Sequence, residues 1–195
     1  MLELELKTLI PDVDAARARL LAAGARVVSE GRMTDRRFDT PDRALVARDE
    51  VLRTRSLVAP DGTTTASLDW KGPTRDVNGY KGRDEENAAV DADAVAGILA
   101  HLGYVVTQQI DRDVVVYALD GVTVRFEHYP RMDVLAEVEG EPAGIEHAIA
   151  VLGLPREGFT AARLKEYAAD FERRTGLRAA LSFADLGRDA EGADG

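Results

Sequence analysis

Met1-Leu2-Glu3-Leu4-Glu5-Leu6-Lys7 opens the chain with strict alternation of apolar and charged residues. A two-residue period is that of a β-strand, so Leu2, Leu4 and Leu6 fall on one face and Glu3, Glu5 and Lys7 on the other. On an ordinary half-wet sheet the polar face mixes Thr, Ser, Lys and Glu; here every polar position is a full charge. The pattern recurs downstream. Alternate residues give Arg53 and Arg55; Asp69 and Lys71; Arg83 and Glu85; Arg112; Arg125 and Glu127; and Glu137 and Glu139, with Leu68, Trp70, Val122, Val124, Phe126, Val134, Ala136 and Val138 among the apolar residues between them.

Strands are expected over 26–38, 51–58, 64–72, 83–90, 104–107, 112–119, 122–128 and 134–139, separated by turn clusters such as Asp39-Thr40-Pro41-Asp42 and Pro60-Asp61-Gly62. Helices are expected from Pro11 to Gly24, over 93–102 with Val95, Ile98, Leu99 and Leu102 inward, over 145–152, and over 161–175. Three times a polar-faced strand precedes a helix that stops at glycine (Gly24, Gly103, Gly153), a weak internal repeat that suits helices buttressing the outside of a barrel. The fold class is therefore α+β: an antiparallel β-barrel or tunnel with helices packed on its outside. A single domain spans 1–178, and 179–195, rich in Asp, Glu, Gly and Ala, reads as an acidic, disordered tail.

The chain has 195 residues, 45% of them hydrophobic, enough for one full core. A formal charge of −10 repels nucleic acid and anionic membranes, so neither is expected as a partner and any anionic ligand must be captured in a pocket. There are no cysteines, no leader-like segment and no apolar run of spanning length, which together read as a cytoplasmic protein. The three histidines, His101, His128 and His147, are too scattered for a metal site.

The plain alternative for each charged face is a solvated strand with cross-strand ion pairs, worth about 0.2–1 kcal/mol apiece. The joint pattern argues otherwise. If the apolar faces lie under helices, the charged faces of a closed sheet converge on its lumen, where they need ligands to neutralise them. Carboxylates two residues apart on one strand lie about 6–7 Å apart and suit a hard divalent cation. Glu3, Glu5, Glu137 and Glu139 are the candidate ligands, with Glu127 and Glu85 next. Arg53, Arg55, Lys71, Arg83, Arg112 and Arg125 offer donors to phosphate oxygens.

Glu3-Leu4-Glu5-Leu6-Lys7 resembles the E-x-E-x-K signature of the CYTH superfamily, the triphosphate tunnel metalloenzymes. Phe38-Asp39-Thr40-Pro41 resembles the family's Y-F-D-T-P turn, Leu52-Arg53-Thr54-Arg55 its L-R-x-R strand, Trp70-Lys71-Gly72-Pro73 its K-G-P strand, Arg83-Asp84-Glu85 its R-x-E segment and Glu137-Val138-Glu139 its closing E-x-E. The resemblance covers roughly Leu2 to Leu154. It implies an eight-stranded antiparallel tunnel that binds a small-molecule triphosphate with Mg²⁺ or Mn²⁺. Glu3, Glu5, Glu137 and Glu139 would hold metal, joined by Glu127 in the place of the usual Asp; Lys7, Arg53, Arg55, Lys71, Arg83 and Arg112 would grip phosphates; and Glu3, Glu5 and Lys7 would form the catalytic set. Asn87 departs from the Glu of many relatives, and Arg163-Leu164-Lys165-Glu166-Tyr167 lacks their Ser-Tyr pair; Lys165 is read as a solvated lysine.

The spacing is most similar to the class IV adenylyl cyclase branch, which implies conversion of ATP to cyclic AMP and pyrophosphate. The alternative is hydrolysis of inorganic tripolyphosphate, thiamine triphosphate or a nucleoside triphosphate. A non-catalytic polyphosphate- or nucleotide-binding module is the third reading, weakened by the full carboxylate set. A homodimer is compatible with all three.

Overall fold

The computed structural model describes residues 2–187; the expectations for the Leu2 side chain and for the tail beyond 187 lie outside the described residues. Nine strands form one antiparallel sheet: β1 Leu2–Leu9, β2 Arg26–Asp39, β3 Val51–Val58, β4 Thr64–Lys71, β5 Arg75–Val77, β6 Tyr80–Ala89, β7 Val105–Leu119, β8 Val122–His128 and β9 Leu135–Glu139. Their order is β1-β9-β8-β7-β2-β3-β4-β6-β5, and β1 also pairs with β6, so eight strands close into a barrel with β5 as an extra edge strand. Closure removes the open edges and gives each strand an inner and an outer face.

The outer face of β1, β9 and β8 carries the main core. Val124, Phe126, Ala136 and Val138 are fully buried beneath α1 (Val13–Ala22) and α4 (Pro142–Leu152), which contribute Ala16, Leu20, Ile145, Ala148 and Leu152. The Asp12 carboxylate caps α1 by accepting from Ala15 N at 2.9 Å, and Gly153 ends α4 in the left-handed conformation. α2 (Ala44–Ala47), α3 (Ala92–His101), a 3₁₀ turn at Arg156–Gly158, α5 (Leu164–Thr175) and α6 (Phe183–Gly187) complete the elements.

Four sequence expectations need correction. The two strands expected at 104–107 and 112–119 are one strand, β7, because the intervening Gln108-Gln109-Ile110-Asp111 pairs continuously with β2, a tertiary ladder that overrides weak local propensity. β6 begins at Tyr80 and not at Arg83, since Asn78-Gly79 makes a hairpin turn with both residues at positive φ and pairs β5 with β6. On α3 only Leu99 is buried, while Ile98 and Leu102 are 57% and 68% exposed. Past 178 the chain is built into the fold: Ala180 bridges Arg131, Asp111 N donates to the Leu181 carbonyl at 2.8 Å, and Ala180 and Ser182 are buried.

Candidate active site

The inward faces of the eight strands enclose a cavity of about 460 Å³. Glu5, Lys7, Arg53, Arg55, Lys71, Arg83, Arg112, Arg125, Glu127 and Glu137 all line it, as the alternation required. Glu3 and Glu139, also on inward positions, lie outside this lining set. The rim is made by Val46 in α2, Asp49 and Glu50 after it, Arg163, Leu164 and Lys165 at the start of α5, and Leu181. Lys165, expected in bulk solvent, is exposed but stands on this rim.

Sequence reasoning missed Asp35, Arg37, Lys81 and Tyr129. Asp35 and Arg37 follow the same two-residue alternation on β2, which was the available signal. Lys81 was hidden by the late start assigned to β6.

Asp35 is the hub of the basic wall. It is 1% exposed and accepts from Arg55 Nε and Nη2 at 2.8 and 2.9 Å, Arg112 Nη2 at 3.0 Å and Arg53 Nη1 at 3.2 Å. Burial by itself would raise its proton affinity, but Arg53, Arg55 and Arg112 together hold the carboxyl well below the usual range. Arg53 Nε also reaches Asp69 at 2.9 Å. Glu127 accepts from Arg112 Nε at 2.9 Å, Arg125 Nε at 3.1 Å and the Tyr129 hydroxyl at 2.7 Å, so both its oxygens are committed. Burial and the adjacent Glu127 carboxylate push the Tyr129 phenol well above its ordinary range.

The acidic wall lies on β1 and β9. Carboxylate oxygens of Glu5, Glu137 and Glu139 come within 4.8 Å of one another. Of the five expected metal ligands, the structure thus gathers three, while Glu127 is engaged by arginines and Glu3 sits with Glu85. Burial, the hydrogen bond with Glu85 and the charge of Glu139 push Glu3 up to about 8. Glu5 is opposed by burial and by Glu137, yet Lys7 and Lys81 hold it down at about 2. Lys7 joins Glu5, at 2.6 Å, to Glu137, and Arg125 closes on Glu137 from β8. Glu139 is raised by burial and by Glu137.

An all-oxygen donor set fits a hard divalent cation, and the proton affinities of Glu3 and Glu139 report the negative charge that such a cation would neutralise. Glu5 Oε1 takes both lysines, which leaves Oε2 without a partner among the described residues. At the rim, Arg83 Nη2 donates to the Asp49 carbonyl at 2.9 Å and to its carboxylate at 3.1 Å, Arg163 Nη2 reaches the same carboxylate at 2.9 Å, and Lys71 pairs with Glu85. Two guanidinium nitrogens, Arg37 Nε and Arg112 Nη1, are buried without an acceptor among the described residues. Each such orphan costs about 1–3 kcal/mol.

A closed eight-stranded tunnel with facing acidic and basic walls defines a class of protein, and the sequence comparison identifies it. The CYTH domain model matches residues 1–146, and the chain belongs to that family. Among solved structures, a candidate adenylate cyclase of Vibrio parahaemolyticus superposes with a TM-score of 0.74 at 20% identity, covering 87% of this chain and 98% of that one. The PH1819 protein of Pyrococcus horikoshii gives 0.68 at 22% identity over 86% and 98%. HpAC1 of Hippeastrum, described as having a dominant triphosphatase activity, gives 0.62 at 17% identity over 92% and 99%. No curated protein sequence matches. Members of this family act on triphosphates with a metal. Among the described residues no helix is long and apolar enough to cross a membrane.

Proposed function

We propose that this chain is a divalent-cation-dependent enzyme acting on the triphosphate of a small molecule, and that its reaction is cyclisation of ATP to cyclic AMP and pyrophosphate. The observation that carries the reading is the convergence of Glu5, Glu137 and Glu139 in a barrel whose other walls present Arg53, Arg55, Arg112 and Arg125. Glu5, Glu137 and Glu139 would hold Mg²⁺ or Mn²⁺. When bound, the ion polarises phosphoryl oxygens and offsets their charge.

The chain's own part is positioning and electrostatics. Arginine forks on β3, β7 and β8 bind non-bridging phosphate oxygens, and Asp35 and Glu127 hold those forks in place before the substrate arrives. Lys7, kept protonated by Glu137 and Glu5 in spite of its burial, supplies a fixed positive charge between the two walls. In the cyclase reaction the ribose 3′-oxygen attacks the α-phosphorus and the bond to the β-phosphate oxygen breaks. The hydroxyl proton passes to a lumen carboxylate, and pyrophosphate leaves against the arginines. The mouth supports the cyclase reading: Val46, Val51, Leu164 and Leu181 offer apolar wall for a nucleobase beside an otherwise charged lumen.

Hydrolysis of a triphosphate is the second reading, and one observation favours it. Tyr129 is the one aromatic side chain lining the cavity among the described residues, and it is buried and bound to Glu127, so no free ring is available to stack on a purine. The likeness to HpAC1 points the same way. Incubation with Mg²⁺ or Mn²⁺ and, separately, ATP and tripolyphosphate decides between them. Cyclic AMP with equimolar pyrophosphate establishes the cyclase. Orthophosphate without cyclic AMP makes the protein a triphosphatase, and metal-dependent binding without turnover defeats both.

A further inference from the structure

The cations facing the lumen are almost all neutralised by the protein itself. Asp35 serves Arg53, Arg55 and Arg112, Glu127 and Glu137 serve Arg125, Glu5 and Glu137 serve Lys7, Glu5 serves Lys81, Glu85 serves Lys71, and Asp49 serves Arg83. Arg37 is different. It lines the cavity, and its hydrogen bond among the described residues is from Nη1 to Gln108 Oε1 at 3.1 Å, a neutral partner. A guanidinium has only donors, so this contact turns the amide oxygen of Gln108 towards Arg37 and anchors one end of the fork. Nε is left buried with no acceptor, as is Nη1 of Arg112. Burial first, then Arg53 and Arg112 close by, push Arg37 down to about 10 against the opposing pull of Asp35, whose carboxylate is already hydrogen-bonded to Arg53, Arg55 and Arg112.

The position of Arg37 gives the unpaired charge a direction. In the ring β1-β9-β8-β7-β2-β3-β4-β6, β2 lies four strands from β1 by either route, so Arg37 stands across the barrel from Glu5 and the carboxylate trio. A phosphate chain held at the trio reaches β2 only if it is long enough to cross the lumen. Arg37 also stands where the Y-F-D-T-P turn has its Tyr, so this donor belongs to this chain and not to the motif.

We propose that Arg37, with the free Nη1 of Arg112, forms a subsite for the phosphoryl group farthest from the carboxylate trio, so that the lumen measures polyphosphate length and prefers a triphosphate to a diphosphate. This rests on the triphosphate reading of the cavity. The ligand it requires is anionic, because a neutral acceptor would leave the guanidinium charge unmatched in a low-dielectric site.

The test is calorimetric binding of tripolyphosphate and of pyrophosphate, each with Mg²⁺, to the wild type and to Arg37→Gln, Arg37→Lys and Arg36→Gln. Arg36 is the neighbouring outward arginine paired with Asp93, so its variant controls for bulk charge. Arg37→Gln is expected to weaken tripolyphosphate about tenfold or more, the scale of one charge-assisted hydrogen bond, and to change pyrophosphate by less than about threefold. Arg37→Lys keeps the charge without the fork and falls between. The ligand-free melting temperature of Arg37→Gln stays at or above that of the wild type, because no ion pair is lost, whereas a structural role for Arg37 would lower it. Equal weakening of both ligands, equal weakening by Arg36→Gln, or unchanged tripolyphosphate affinity in Arg37→Gln and Arg37→Lys overturns the subsite alone. A wild type that binds no tripolyphosphate overturns both the subsite and the triphosphate reading.

Discussion

Around β1, β9 and β8 the outer face of the barrel is dry: Val124, Ala136 and Val138 are 0% exposed under α1 and α4. Across the ring, the outer face of β2, β3 and β4 carries Thr34, Arg36, Ser56 and Ala66 beside a groove of about 570 Å³, and the helix crossing it, α3, buries Leu99 alone. The inner faces differ in the opposite sense. On β2, β3 and β7 four guanidinium hydrogen bonds converge on Asp35, tying neighbouring strands together from within, whereas on β1 and β9 three carboxylates crowd one another. One half of the wall is thus fastened from outside by apolar packing and the other from inside by ion pairs. The charged lumen is therefore not all ligand site. The carboxylates of the basic wall hold strands in register and pre-set the arginine forks for phosphate, while the charges left unmatched add positions that only a ligand can fill.

Removing a fastener from the packed half is expected to have the largest effect. Phe126 is 1% exposed, with its ring centroid 5.1 Å from that of Tyr117. Phe126→Ala should cost about 3–5 kcal/mol in denaturant unfolding, the transfer loss plus a cavity that two helices cannot close. A cost below about 1 kcal/mol would mean that this wall is far looser than its burial indicates.

On the other half the fastener is Asp35. Asp35→Asn leaves Arg53, Arg55 and Arg112 without their common counter-charge and should cost about 3 kcal/mol at pH 7, the low end of the range for breaking a buried pair because the amide oxygen still accepts. The sign with pH follows from the depressed proton affinity of Asp35. Its contribution is present above the unfolded value, near 4, and is lost as pH falls through the still lower folded value. The stability gap that melting curves show between wild type and variant should therefore be constant from pH 7 to about 5 and begin to narrow below about 4, closing only as pH approaches the lower folded value. A gap as wide at pH 3 as at pH 7 would remove the carboxylate from the account of this wall.

Both halves were legible in the sequence to different degrees. The alternation in Glu3-Leu4-Glu5-Leu6-Lys7 and its recurrences placed the inward charges, because a two-residue period admits only two faces. The register was not legible. It is register that separates Glu137 and Glu139, gathered with Glu5, from Glu127, which the same pattern offered equally but which Arg112, Arg125 and Tyr129 engage. Asp35 and Arg37 carried the same signal as Arg53 and Arg55, but partners on the neighbouring strands β3 and β7 decide that Asp35 becomes a hub while Arg37 meets the neutral Gln108. Helix cover was legible where α4 alternates cleanly and illegible on α3, whose sequence is apolar on more sides than the sheet can cover.

α3 gives the smallest effect and the sharpest contrast between pattern and structure. Read from spacing, Ile98 belongs with Val95, Leu99 and Leu102 on a buried stripe, and a buried Ile→Ala costs about 2–5 kcal/mol. In the structure Ile98 is 57% exposed and faces away from the sheet that Leu99 meets. Ile98→Ala then removes little contact, and because alanine is a better helix former than a β-branched residue, the change should lie within about 0.5 kcal/mol of zero, with stabilisation as acceptable as loss. Leu99→Ala in the same helix, from a position 7% exposed, should cost several times more. If the two variants were equally destabilised, α3 would be packed on both sides, and the half of the barrel held from within would have to share its load with an outer layer after all.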